Sequence, residues 1–130
     1  MNAETVFNAL RAAVRGLLEM SDRYAAACGG KIGGMDLFRI RSGGPSRPTE
    51  NAALDLAGLA ENITRQEAHV RELEQQANAF LGRLRNPMSR RVVVCRCYRA
   101  MSWRETAAAL GFADKRSAIR AYRRAMDELA

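Results

Sequence analysis

Between Ala52 and Leu84 ten positions recur at alternating spacings of four and three residues without a break: Ala52, Leu56, Leu59, Ile63, Gln66, Val70, Leu73, Ala77, Phe80 and Leu84. All but Gln66 are apolar. A mean period near 3.5 marks one stripe along a helix that supercoils to the left around a partner. A helix from Glu50 to Arg85 rises ~1.5 Å per residue and is roughly 50 Å long. A small C-terminal unit cannot cover a stripe of that length. It needs a second helix folded back on it, a second copy of the chain, or both. Gln66 either sets the register of that pairing or is a tolerated imperfection.

A first helix is expected from Ala3 to about Cys28. Its own seam is Ala3, Val6, Leu10, Ala13, Leu17, Met20, Tyr24 and Ala27, again in threes and fours, with Gly16 as a weak point. Residues 29–48, GGKIGGMDLFRIRSGGPSRP, hold three Gly-Gly pairs and two prolines and read as a linker. Within it Leu37, Phe38 and Ile40 either tuck against a helix seam or form a docking motif. Residues 1–85 are therefore expected to form a helical hairpin or coiled coil that serves oligomerisation.

Asn86-Pro87 ends the long helix, because the residue before proline is driven out of helical geometry. A third helix is expected from about Met88 to Met101, regular only after Arg90. Val93, Val94, Cys97, Tyr98 and Met101 form its apolar face. Arg91, Arg96 and Arg99 stay outside, either as solvated charge or near phosphates.

Ser102 followed by Glu105 is the S-x-x-E pattern of a capping box opening a short helix. Thr106, Ala107 and Leu110 give that helix a small face. Gly111 stands where a left-handed C-terminal cap is needed, and Asp114 is placed to cap the next helix. That last helix separates its side chains sharply. At ~100° per residue, Arg116, Arg120, Arg123 and Arg124 fall in one sector. Ala118, Ala121, Tyr122, Ala125, Met126 and Leu129 lie opposite, with Ile119 at the boundary. A capped helix, a glycine turn and a basic second helix form the pattern of a helix-turn-helix. The expected fold is thus all-α: a long helical hairpin or coiled coil over 1–85, then a three-helix unit with a helix-turn-helix over 86–130.

Charge follows the same division. The net charge is +7, yet residues 86–130 hold ten Lys/Arg against four Asp/Glu, while 1–85 are nearly neutral with eleven against ten. A positive field concentrated on one module is the footprint of polyanion binding. No apolar run approaches the ~20 residues of a membrane span, and no signal-peptide pattern opens the chain. Cys28, Cys95 and Cys97 lack disulfide spacing, which points to a reducing cytoplasm. His69 is the sole histidine and is placed on the solvated flank of the long helix. Neither a metal site, a cofactor loop nor a nucleophile with its base is legible, so an enzyme is not expected. Trp103 reads as a packing residue at the start of its helix in preference to a base-stacking one.

The run CRCYRAMSWRETAAALGF, with IRAYRRAMDEL after it, resembles region 4 of bacterial sigma factors and their phage relatives. The residues that carry the likeness are Arg96, Tyr98 displaced by one, Ser102, Trp103, Ala107, Leu110, Gly111, Phe112, Arg124, Ala125, Met126 and Leu129. Thr106 stands where that family has an aliphatic residue, Cys97 at an aromatic position, and the turn from Phe112 to Arg116 is one residue longer. The whole layout is similar to small phage regulators of the ArpU or RinA type. The resemblance implies a phage or prophage transcriptional regulator acting on double-stranded DNA in the bacterial cytoplasm. In that reading Arg116, Ser117, Arg120 and Arg123 enter the major groove, Lys115 and Arg124 hold phosphates, and the N-terminal helices build a homo-oligomer. Two alternatives stand beside it: an RNA polymerase adaptor with little DNA binding of its own, and a DNA-packaging protein like the small terminase subunits.

Overall fold

The computed structural model describes residues 2–28 and 50–130, with side chains of the second segment from position 55. The Gly-rich linker with Leu37, Phe38 and Ile40, and the side chain of Ala52, lie outside the described residues. Among the described residues all regular structure is helical. The helices are α1 (Ala3–Ala27), α2 (Glu50–Leu81), α3 (Pro87–Val93), a π-helical segment (Val94–Tyr98), α4 (Trp103–Leu110) and α5 (Lys115–Leu129). The chain divides into two compact units, 1–15 with 68–130, and 16–67. Both long helices contribute to both units.

In the larger unit α1 begins under a side-chain cap. The Thr5 N–H donates to Asn2 Oδ1 at 2.8 Å, which satisfies one of the free donors of the first turn. Ala3, Val6, Leu10 and Ala13 are buried as the spacing predicted, and so are Phe7 and Val14. The buried stripe is therefore wider than a two-per-heptad seam and resembles the face of a globular-core helix. From α2, Val70, Leu73, Ala77 and the post-helical Leu84 are buried. Phe80 meets Phe7 edge-on, with ring centroids 6.3 Å apart, a favoured aromatic geometry. Each large side chain of this set contributes ~1.5–3 kcal/mol through burial.

The long helix stops at Leu81, four residues before the expected Arg85. Its last turn tightens: Arg83 N–H donates to the Phe80 carbonyl at 3.0 Å and Leu84 N–H to the Leu81 carbonyl at 3.1 Å. Such short-range bonds satisfy the end of a helix, and here they deliver Leu84 into the core at 1% exposure. Asn86 then caps α3, its Oδ1 accepting from Met88 N–H at 2.9 Å, with Pro87 at the first helical position, where its missing N–H costs nothing.

Two expectations for the third helix are corrected. It is regular from Pro87, not from after Arg90, because the Arg90 side chain turns back and its Nε–H donates to the Leu84 carbonyl at 2.7 Å. Nor does it run on as an α-helix to Met101. From Val94 the turn widens, with Arg99 N–H bonding to the Val94 carbonyl at 3.1 Å. The wider turn rotates the face, so Val92, Val93, Cys95 and Cys97 are buried while Val94, Tyr98 and Met101 are half-buried. Ala100 follows at φ 54°, a left-handed conformation that glycine adopts more readily.

In the smaller unit the stripe is covered less completely. Leu17, Met20, Leu56, Leu59, Ile63 and Gln66 are all half-buried. Leu18 is 51% exposed, and Tyr24 and Ala27, expected in the seam of α1, are exposed as well. Gly16 gives the close approach a reason: a Cβ there would lie 3.3 Å from Gln66 Nε2.

Candidate nucleic-acid interface

The local signals of the C-terminal segment all appear in the geometry. Ser102 Oγ accepts from Glu105 N–H at 3.1 Å and Glu105 Oε1 accepts from Ser102 N–H at 3.0 Å, a reciprocal capping box. Hydrogen bonds from the Ser102 N–H and hydroxyl hold the Glu105 carboxyl below its ordinary range. Gly111 closes α4 at φ 78°, and Phe112 N–H donates to the Ala107 carbonyl at 2.9 Å, the six-to-one bond of a left-handed cap. Asp114 Oδ1 accepts from both the N–H and the hydroxyl of Ser117 at 3.0 Å. Those two bonds, with smaller help from Arg120 and Arg116, hold the Asp114 carboxyl below its usual value.

The α5 helix packs on α3 and on α4. Ala118, Ala125 and Leu129 are buried, and Ile119, Ala121, Tyr122 and Met126 half-buried. Behind α5, Tyr122 meets Trp103 edge-on at 5.4 Å, and its hydroxyl oxygen lies 3.8 Å from Cys97 Sγ, which donates to it. The Arg96 guanidinium stacks 4.2 Å over the Trp103 ring and donates to the Met101 carbonyl at 3.0 Å. Trp103 is thus a packing residue, clamped between a cation and an edge-on ring. Burial pushes the Cys97 thiol up to about 11 and raises the Tyr122 hydroxyl too.

On the opposite side Arg116, Arg120, Arg123 and Arg124 are all exposed, with Lys115 beside them at the start of the helix. Ser117 is half-buried and committed to the cap. The three residues Arg116, Arg120 and Arg123 span seven residue steps, ~10 Å along the axis, about three base-pair steps of duplex. No acidic residue occupies the first turn of α5. The Asp114 carboxylate at the N-cap already meets the positive end of the helix dipole, with Lys115 and Arg116 beside it.

Sequence reasoning missed the neighbours of this face. A cavity of about 310 Å³ joins Arg120, Arg124 and Ser117 to Asn86, Met88 and Ser89 at the start of α3. A second, of about 400 Å³, places Arg104 of α4 near Lys115 and Asp114. Arg104 was legible as the one arginine on the exposed side of α4. Ser89 carried no periodic signal. Among the described residues no group of three His, Cys, Asp or Glu is placed to hold a metal ion, and no helix is long and apolar enough to cross a membrane. Compared with known proteins, the chain matches no family model, no curated protein and no solved structure.

Proposed function

We propose that the protein is a sequence-specific, duplex-DNA-binding transcriptional regulator of phage or prophage genes, with α4 and α5 as its helix-turn-helix. The observation that carries this reading is the sector of four exposed guanidiniums on α5, on a helix whose opposite face is anchored to α3 and α4. Arginine pairs bidentately with guanine in the major groove, worth ~1–3 kcal/mol of discrimination per good pair. Arg116, Arg120 and Arg123 read bases. Lys115 and Arg124 hold phosphates, which position the helix without reading sequence. Ser117 sits at the base of this face through its tie to Asp114. The half-buried stripe of Leu56, Leu59 and Ile63 supports a homo-oligomer that brings two reading heads to one site. The phage assignment rests on the sigma region 4 resemblance.

The test is selection of duplexes from a random pool at near-physiological salt, with wild type beside an Arg120→Ala, Arg123→Ala variant. An enriched motif in wild type that is lost in the variant supports the reading. No enrichment in wild type refutes it and leaves the basic helix as a non-specific contact.

A further inference from the structure

A groove of about 350 Å³ runs beside the end of α2, the π-helical segment and the end of α4. Its floor is apolar, made of Leu81, Val94, Cys95 and Leu110, and its rim carries Arg90, Arg91 and Arg99. Among the described residues no carboxylate lines it. None of these residues belongs to α5, so the groove is separate from the face proposed to read DNA.

Two backbone features converge here. Val94 and Cys95 reach the groove from the π-helical segment, a form of turn frequent at functional sites. Ala100, just beyond Arg99, holds a positive φ, and non-glycine residues in that region persist where the surroundings over-determine them, often at binding sites. The rim is also partly set in place: the Nε–H of Arg90 is committed to the Leu84 carbonyl at 2.7 Å, while Arg91 and Arg99 are exposed.

The lining selects the occupant. A phosphate backbone wants donors throughout, and four of the seven lining side chains offer apolar surface or a thiol. A wholly apolar partner would strand three guanidiniums at its edge. We infer that the groove docks an acidic, apolar-anchored segment of a partner protein. Such a segment seats one or two large apolar side chains on Leu81, Val94 and Leu110, and sets Asp or Glu against Arg90, Arg91 and Arg99. Charge complementarity at the rim gives the segment its choice of partner, and the apolar floor gives it residence.

A displayed random-peptide library selected on the full-length chain tests this, with an Arg91→Glu, Arg99→Glu variant as the counter-target. Both replaced residues are exposed, so the variant keeps its core. The expected peptides carry a large apolar residue flanked by Asp or Glu and bind the variant at least about tenfold more weakly. Exchanging their acids for lysines restores binding to the variant. The bound peptide also slows alkylation of Cys95 relative to the exposed Cys28. Peptides without acidic bias, equal binding to the variant, or no enrichment overturn the inference. So does slowing of Cys95 by duplex DNA, or by raised protein concentration alone, which assigns the groove to nucleic acid or to a second copy. The variant is expected to enrich the same duplex motif as wild type, with lower affinity overall because its basic module loses about four units of positive charge, so the peptide outcome is distinguishable from that of the DNA-reading proposal.

Discussion

Thr106 is fully buried in α4, yet its Oγ1 has no hydrogen-bond partner among the described residues. An unsatisfied buried hydroxyl costs ~1–3 kcal/mol in lost solvation. Thr106→Val exchanges that hydroxyl for a methyl of similar size and keeps the branched Cβ, so helix propensity and rotamer freedom barely change. The added apolar burial contributes ~0.8 kcal/mol more. The variant is expected to be about 2 kcal/mol more stable than wild type. Thr106→Ser, which keeps the hydroxyl and loses the methyl, is expected to fall about 1 kcal/mol below wild type. Thr106→Ala, losing both, lies between the two. Urea unfolding followed by Trp103 fluorescence measures the series, because the sole tryptophan sits three residues away in the same helix. Equal slopes across the set license the comparison. A valine variant less stable than wild type would refute the reasoning, since it would show that the hydroxyl is satisfied in solution.

Three further expectations follow from the same geometry. Ala100→Gly should stabilise the chain by about 0.5 kcal/mol and Gly111→Ala should destabilise it by about 1 kcal/mol, because each sits at positive φ and only glycine does so without steric cost; paired thermal melts read both, and a shift of the same sign in the two sinks the argument. Glu105 and Asp114 are held below their ordinary values of 4.5 and 3.8, so their contribution is complete above those values and is lost as pH falls through the lower native ones. Asp114→Asn keeps the cap acceptor and should lose its part of that acid sensitivity in a pH titration of helicity; an unchanged acid midpoint counts against it. Of the three thiols, exposed Cys28 should react fast with a thiol reagent at pH 8 and buried Cys95 and Cys97 slowly, Cys97 being raised to about 11. Rapid reaction of all three in the native protein would contradict the burial.

What could be read in advance was local or purely periodic. Ser102 with Glu105, Gly111 and Asp114 act over three or four residues, so short-range chemistry decides them. The arginine sector of α5 is phase arithmetic on one unbroken helix. The π-helical segment was not legible, because a widened turn at Val94 is set by what Cys95 and Cys97 pack against and not by their helix propensities. The left-handed Ala100 was hidden for the same reason: alanine gives no sign of it. Arg90 was left outside the regular helix, which it joins because its long side chain reverses to the Leu84 carbonyl. Phe7 and Val14 were left off the first seam because a strict heptad has no place for them, whereas a globular core does.

The approach of Gly16 to Gln66 bears on how this chain can vary over generations. A methyl at position 16 would press on the amide at 3.3 Å, tighter than ordinary side-chain contacts tolerate, so the amide would have to withdraw. That amide is the end of a flexible side chain, so a methyl at 16 asks it to move by a few tenths of an ångström and a longer side chain asks for more. In any lineage of related chains these two sites are expected to covary, a bulkier residue at 16 arriving with a shorter one at 66. Such a pair, distant in sequence, would record the register of the two helices in the pattern of substitutions.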